Sequence, residues 1–440
     1  MKKILILGAG LVSEPGVKYL LEQKNLFVTV AALNVDKAEA LTADRQNGKA
    51  VFLDVENRKQ LRELIRENDI VVSLLPWTYH TVVAELCLEY SKHMVTASYV
   101  SDAMRSFDSR AKEKEVLFLN ELGLDPGIDH MSAMKIIDEV KKRGGKVLHF
   151  YSYCGGLPAP QHNNNPFGYK FSWSPRGVIL ASRNDSRFLE DGEEIYIEGK
   201  DLFLNYDTEE INELGIFEVY PNRNSLPYKQ LYGLNDALTV KRGTYRNPGW
   251  CSTLKKIVDL GLIDDTPRSG LTEKTFKELL SDLLGVSRSS DLRKEVASKS
   301  GLEPEDAILD RLEWLGLFSD TSVPRKDNYL DILCEQMQSK MMYAKGEIDM
   351  VIMRHTFVIE EEEETIYKVT STLIDYGIPE GESSMARTVS LPLAIGVKLI
   401  AEERINSTGV QIPNTPDIYL PILSELESLG IKIVEEKTEI

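Results

Sequence analysis

A chain of 440 residues exceeds the size at which a single hydrophobic core stops growing, so two or three domains are expected. The formal charge of −17 excludes a general affinity for nucleic acid or an anionic membrane, so an anionic substrate must be held by a few local arginines acting against that field. Hydrophobic residues make up 42% of the chain, yet no apolar run approaches the ~20 residues of a membrane span and no signal peptide is expected before Met1.

Residues 4–7 are a continuous apolar run, the pattern of a parallel strand buried on both faces. Gly8 and Gly10 follow, allowing a sharp turn and a close approach of pyrophosphate to the backbone. Residues 11–21 then read as a helix whose first amides and dipole would face that anion. Ser13 stands where the third glycine of G-x-G-x-x-G is usual, and Pro15 fits a first helical turn. The strand-helix beat continues with strands at 27–32, 50–53, 69–75, 94–97 and 116–119 and helices at 35–42, 58–66 and 80–90. The expected class is α/β, with an N-terminal Rossmann-type doubly wound parallel sheet and its cofactor at the strand C-termini. The second strand ends on Ala32, Leu33 and Asn34, neither an acid for the adenosine ribose nor an arginine for a 2′-phosphate. NAD or NADP is therefore expected, and the missing arginine tilts the choice slightly to NAD.

The character changes after Asn120. Asp125 precedes a helix running to about residue 142 and reads equally as that helix's cap or as an acid at the nicotinamide. Residues 151–160 and 165–177 are dense in Gly, Pro, Asn and aromatics without periodicity, which suggests a shaped binding loop rather than a packed element. Helical spacing then appears at 271–284, 290–299, 304–315 and 329–340, as a helix-rich insertion. Residues 350–360 and 365–374 alternate as strands around a charged tip at 360–364, and an apolar helix spans 384–401. The last forty residues, with a strand-like stretch at 431–434, are expected to return to the first domain. Cys87, Cys154, Cys251 and Cys334 lie far apart without C-x-x-C spacing, which points to reduced thiols in the cytoplasm and away from a metal site.

Several of these stretches are specific. The glycine loop at 8–13, Ser98 with Tyr99, GLDPGIDH at 123–130, SYCGGLPAP at 152–160 and YKFSWS at 169–174 resemble the glutamate-forming saccharopine dehydrogenase (saccharopine reductase) family. YPNR at 220–223, RGT at 242–244 and WLGLFSD at 314–320 extend the resemblance over essentially the whole chain. It implies a reversible NAD(P)-linked reaction in which saccharopine and water become glutamate and 2-aminoadipate 6-semialdehyde, within lysine metabolism. It also implies a mixed α/β substrate domain, a helical insertion and a homodimer. With the residue patterns, that gives a dinucleotide domain at 1–125, rejoined at about 400–440. A substrate and dimerisation domain would occupy 126–250 and 341–399, and the helical insertion 251–340.

By the same resemblance, Gly8, Gly10, Leu11, Val12 and Ser13 would hold the pyrophosphate, and Ala32, Leu33 and Asn34 the adenosine ribose, with Asp54 and Val55 beside them. Leu75, Ala97, Ser98, Leu124, Asp125, Pro126 and Ser174 would complete the cofactor set. Ser98, Tyr99, Asp125, Arg223, Thr244, Tyr245 and Arg246 would hold saccharopine. The departure from fungal NADP-using members is Leu33, where those carry an arginine. The chemistry asks for a neutral amine before hydride leaves, then for water to attack the imine, so one group must alternate between acid and base. Tyr99, Asp125 and Cys154 are the candidates, although each also reads blandly, as a packed tyrosine, a helix cap and a buried thiol. Three substrate carboxylates suit bidentate arginines, for which Arg223 and Arg246 are available. His130 and His355 read as structural, and His80 and His93 as surface helix and strand-entry residues. Two other readings compete: a dehydrogenase of another carboxyalkyl-amine such as carboxynorspermidine, and a non-enzymatic nucleotide-sensing protein.

Overall fold

The computed structural model describes residues 1–211, 213–361 and 365–440. The chain forms two units, Met1–Gly145 with Glu361–Ile440, and Lys146–Glu360. Each has its own hydrophobic core.

In the first unit the apolar runs become a seven-stranded sheet. In spatial order its strands are Gly409–Gln411, Leu117–Leu119, His93–Val95, Ile70–Ser73, Lys2–Leu7, Leu26–Ala32 and Gly48–Phe52. Every neighbouring pair is parallel. Ile4 through Leu7 are buried, as a strand covered by helices on both faces must be. The order reverses between Lys2–Leu7 and Ile70–Ser73, and at such a switch point a crevice opens outside the carboxyl ends of the strands. The doubly wound parallel sheet is thus present, with its last strand supplied by the C-terminal part of the chain.

The first helix is shorter than its apolar pattern, running Glu14–Leu21 rather than from residue 11. Ser13 turns its hydroxyl back onto the Gly10 carbonyl at 2.8 Å, which holds residues 11–13 in a turn, and Pro15 occupies the first helical turn. The glycine that packing requires lies three residues further on. A Cβ at Gly16 would come within 2.8 Å of the Ser390 carbonyl oxygen. The Gly16 amide donates to Ser390 Oγ at 3.0 Å. Its partner is the helix Ser384–Ala401, whose hydropathy matches a membrane span in length and composition while 83% of that window is buried within the protein.

The domain boundaries differ from those expected. Helix Ile128–Lys142 belongs to the first unit, which extends to Gly145 rather than ending at 125. The helix lies against Pro416–Ser428, where Tyr419 donates to Asp138 Oδ2 at 2.7 Å. The return also begins earlier than residue 400: strand Ile366–Tyr376 and helix Ser384–Ala401 already belong to the first unit. The strand-like end of the chain, Ile433–Glu439, pairs antiparallel with Ile366–Tyr376 rather than joining the parallel sheet. Most of the acidic tip expected at 360–364 lies outside the described residues.

The second unit is built on a mixed sheet with the order Asp207–Ile211, Gly215–Pro221, Thr239–Arg246, Lys146–Pro158 and Asp349–Glu360. Only Thr239–Arg246 and Lys146–Pro158 run parallel in that series. The hairpin Ser186–Glu190 and Glu193–Ile197 attaches through the pair Val240 and Leu189. Residues 151–158, expected in a binding loop, lie instead in this 13-residue strand, which has ladder partners on both sides. Its glycines do not mark a turn. A Cβ at Gly155 would lie 2.7 Å from the Tyr245 carbonyl oxygen, so glycine lets the neighbouring strand pass close by.

The four expected helices are present as Phe276–Leu284, Leu292–Ser300, Ala307–Leu315 and Tyr329–Met341, and a further one, Trp250–Asp259, precedes them. They are not set apart by a core of their own. Leu309, Leu312, Leu330 and Met337 belong to the same buried cluster as Tyr245 and Ile352 of the sheet. Thr275 and Glu278 close a capping box at the start of Phe276–Leu284, satisfying amides that the helix itself cannot.

Candidate active site

In the first unit, the carboxyl edge of the sheet carries the residues expected to hold a dinucleotide. Gly8 has φ +112, and a Cβ there would meet the Leu74 carbonyl oxygen at 3.1 Å, so glycine is demanded by the turn itself. Gly10 differs: a Cβ would meet nothing within 4 Å. Its bare backbone therefore faces open space beside the N-terminus of Glu14–Leu21, which is where an anion fits. Val12 is half-buried in the same turn and Ser13 is buried.

Around that edge, fold packing leaves four large apolar side chains bare: Leu11 at 56% exposure, Leu33 at 69%, Phe52 at 50% and Trp77 at 73%. Each sits at or just after a strand end, and such a rim suits the flat apolar parts of a nucleotide. Phe52 and Trp77 are not among the residues the motifs point to; their only local signal is a large apolar side chain at or just beyond a strand's carboxyl end. Ala32 is buried at the end of its strand. Asn34 is committed to the next helix, its Oδ1 accepting from the Lys37 amide at 3.2 Å. Asp54 Oδ1 likewise accepts from the Glu56 amide at 3.0 Å, beside half-buried Val55. The residues present thus fit a nicotinamide dinucleotide.

Nearer the switch point, two loops meet. Leu75 and Ala97 are half-buried, and Leu124 and Pro126 are buried. Tyr99 follows the strand His93–Val95 and Asp125 follows Leu117–Leu119, and the Tyr99 hydroxyl donates to Asp125 Oδ1 at 2.9 Å. Asp125 does not cap the helix Ile128–Lys142. Gly127 is the N-cap residue, and Asp129 Oδ1 in the first turn accepts from the amides of Gly127 and His130 at 2.5 and 2.8 Å.

Two buried histidines flank this pair, and one of them corrects the sequence reading. His80 is not a surface residue: it is 5% exposed, with Nδ1 at 2.9 Å from Ser73 Oγ and Nε2 at 2.8 Å from Ser98 Oγ. Burial disfavours the imidazolium and lowers its pKa to about 4, so the ring is neutral at physiological pH. His130 is fully buried, with Nε2 at 2.7 Å from Glu121 Oε2. The other oxygen of Glu121 accepts from the Val100 amide at 2.8 Å.

In the second unit the candidates lie on strands. Side chains alternate between faces, so Arg242, Thr244 and Arg246 share one side of their strand and Tyr245 points to the other. Register places Cys154 beside Thr244 on one flank and Met353 on the other, and Ser152 beside Arg242 and His355. Cys154 is buried, and so is His355, which packs between Phe150 and Phe357. Tyr245 donates to Glu209 Oε2 at 2.6 Å, on the face away from Thr244 and Arg246. Of the strand residues expected to hold substrate, Tyr245 is the one whose side chain leaves that face, and Arg223 lies outside the strands altogether.

Arg246 is only 4% exposed. Its guanidinium carbon lies 4.9 Å from the ring centre of Tyr169, 5.7 Å from Tyr220 and 5.4 Å from Trp250. One guanidinium nitrogen donates to the Tyr245 carbonyl at 2.9 Å, while Arg246 Nε and Trp250 Nε1 are buried without a hydrogen-bond partner. Buried polar atoms usually have a partner, so these two could bond a further polar group or water. Arg223 sits in the left-handed region at φ +53 and is exposed; its carbonyl accepts from the Arg187 amide and Ser186 Oγ, each at 2.9 Å. Ser174 caps the helix Pro175–Leu180 by accepting from the Gly177 amide at 3.2 Å.

Comparison with known proteins agrees over the whole chain. The model of the saccharopine dehydrogenase NADP binding domain matches residues 4–119, and that of the saccharopine dehydrogenase C-terminal domain matches residues 123–431. The chain is 40% identical to the saccharopine dehydrogenase (NADP(+), L-glutamate-forming) of Schizosaccharomyces pombe, covering 99% of each. The protein of the same name from Saccharomyces cerevisiae is also 40% identical over 99% of each chain. The structure of apo saccharopine dehydrogenase (L-Glu forming) from Saccharomyces cerevisiae superimposes with a TM-score of 0.91 at 39% identity, covering all of both chains. Nothing in these likenesses supports the slight lean to NAD.

Proposed function

The chain belongs to the saccharopine dehydrogenase family, and from that membership we propose that it is an NAD(P)-linked oxidoreductase acting on the CH–NH bond of saccharopine. In the reaction, saccharopine and water are interconverted with glutamate and 2-aminoadipate 6-semialdehyde. A nicotinamide nucleotide held at the sheet edge would supply the hydride chemistry. The chain's own residues bind, orient and handle protons.

The observation that carries the assignment of roles is the bond between Tyr99 and Asp125, formed by two loops at the carboxyl edge of the parallel sheet. The Asp125 carboxylate takes the proton that the secondary amine must lose, and the Tyr99 hydroxyl orients that carboxylate by its bond to Oδ1. Ser98 and the turn around Gly10 hold the nucleotide. In the second unit, Arg246 and Thr244 hold carboxylates of the substrate, and Cys154 on the same face of the sheet handles a second proton. Arg246 suits that task because its guanidinium is stripped of water yet keeps a buried N–H without a partner.

NADP is the nucleotide in the names of both fungal relatives, which supports NADP here, while Leu33 leaves the ribose end without the arginine of fungal NADP-using members. A homodimer working in the cytoplasm completes the proposal, with four buried thiols in keeping with a reducing compartment. The deciding experiment mixes the purified protein with saccharopine and either nucleotide and follows the absorbance of the reduced cofactor. Turnover with at least one nucleotide is expected. Oxidation of a carboxylated polyamine with none of saccharopine would move the assignment to another amine.

A further inference from the structure

The loop that carries Ser98, Tyr99 and Val100 is short and half-buried, yet it is gripped on both sides by groups that play no part in the proposed reaction. On one side stands His80, the first residue of the helix His80–Glu89. Its ring spans from Ser73 Oγ at 2.9 Å to Ser98 Oγ at 2.8 Å, with Thr96 Oγ1 at 3.3 Å from the same Nε2. A neutral imidazole has one N–H and one lone pair, so in either tautomer it accepts from one serine and donates to the other, linking the two. On the other side stands Glu121, held in the left-handed region at φ +55. Its amide donates to the Ser98 carbonyl at 3.1 Å and its Oε1 accepts from the Val100 amide at 2.8 Å. Oε2 is 2.7 Å from His130 Nε2.

We propose that His80 is a positioning residue, which fixes the Ser98 hydroxyl and, with Glu121 and His130 gripping the backbone opposite, sets the Tyr99 hydroxyl on Asp125. The physical case rests on where the bonds fall. Ser98 is tied through its side chain and its carbonyl, Val100 through its amide, and Tyr99 lies between them with its hydroxyl 2.9 Å from Asp125 Oδ1. A tyrosine on an untethered loop would swing through several rotamers, and small misplacements of a reacting group are costly in rate. Burial keeps the ring uncharged well below neutral pH, so the relay does not change over the working range. The inference rests on the proposed roles of Ser98, Tyr99 and Asp125.

Two substitutions separate positioning from plain packing. In His80→Gln the side-chain amide nitrogen reaches the place of Nε2 and still bonds Ser98; in His80→Asn it reaches only the place of Nδ1 and Ser73. Three quantities are measured for each: melting temperature, kcat/KM for saccharopine and Kd for the nucleotide, in whose site Ser98 also stands. The expected result is similar melting temperatures, a kcat/KM lowered about tenfold or more in His80→Asn and about threefold or less in His80→Gln, and the same ranking in nucleotide Kd. Equal effects of the two variants on both kcat/KM and Kd would overturn the proposal, leaving His80 a packing residue. If neither variant folds, Ser73→Ala removes one oxygen from the far side of the ring, and a kcat/KM unchanged from wild type would overturn it equally. Should wild type fail to turn saccharopine over, the proposed reaction falls, while the nucleotide titrations of the same variants still decide the relay.

Discussion

The two units build their candidate surfaces in opposite ways. In the first, the candidate residues lie in loops just beyond the ends of parallel strands, and the sheet beneath them is a buried apolar support. In the second, Cys154, Thr244 and Arg246 lie within strands, brought together by register between segments that are far apart in sequence. A parallel sheet covered on both faces can offer function only at its edge. A mixed sheet can offer a face, at the cost of placing charged and polar groups where they must be desolvated. Arg246, 4% exposed and ringed by Tyr169, Tyr220 and Trp250, shows that cost. The edge is therefore expected to tolerate changes that the face does not.

The largest effect expected from that contrast is at Arg246. Truncating a desolvated charge that meets a charged ligand costs about 2–5 kcal/mol, so Arg246→Ala should raise KM for saccharopine by tens to thousands of fold. Nucleotide affinity, measured separately, should be nearly unchanged. Arg246→Lys should not restore binding, because an ammonium neither stacks on three rings nor presents a planar fork. An Arg246→Ala protein with KM within twofold of wild type would mean that the buried arginine is only a packing element of the face.

A second pair of changes tests edge against face directly, using two glycines. At Gly155 a Cβ would meet the Tyr245 carbonyl oxygen at 2.7 Å, so Gly155→Ala must push two central strands apart. A loss of about 1–3 kcal/mol in unfolding free energy is expected, with activity falling as the face distorts. At Gly10 a Cβ would meet nothing within 4 Å, so Gly10→Ala should change stability by less than about 0.5 kcal/mol. Its effect should appear in nucleotide Kd instead, because the methyl group occupies the space an anion needs. Denaturant titration and nucleotide binding on both variants check the pattern. A stable Gly155→Ala protein with normal activity would remove the distinction between the two surfaces.

The same contrast explains what the sequence disclosed. The strand at residues 4–7 and its turn were legible because both signals are local: an apolar run, then glycines where the chain must turn. The Ser13 substitution looked like a defect in the motif until the structure showed Gly16 meeting Ser390, a contact 374 residues away in sequence. Residues 151–158 of the strand Lys146–Pro158 read as loop from their density of Gly, Pro and aromatics, whereas at Gly155 the demand for glycine comes from the neighbouring strand. His80 reads from the sequence as a surface helix residue. Its partners Ser73, Thr96 and Ser98 stand at the ends of two adjacent strands, a proximity that follows from strand order rather than local sequence. Tyr99, Asp125, Cys154 and Arg246 were found through family motifs, with pairing and burial left to the fold.

The smallest expected effect is at the edge, and it concerns nucleotide choice. Leu33 follows the second strand of the parallel sheet and is 69% exposed, so a longer side chain there displaces no core. Asn34 next to it is occupied in capping the helix Val35–Thr42, which leaves residue 33 better placed to read the ribose. A guanidinium at 33 could pair with a 2′-phosphate, whereas it gains nothing from a bare 2′-hydroxyl. A solvent-facing charge pair contributes little, up to about 1 kcal/mol, so Leu33→Arg should raise the ratio of kcat/KM for NADP to that for NAD by about fivefold. The gain should shrink as salt is added, since exposed charges are screened over about 10 Å at 0.1 M. Stability should be unaltered. If the ratio is unchanged or falls at low salt, the phosphate is read from elsewhere on the edge, and the exposed rim of Leu33 and Phe52 serves the adenine alone.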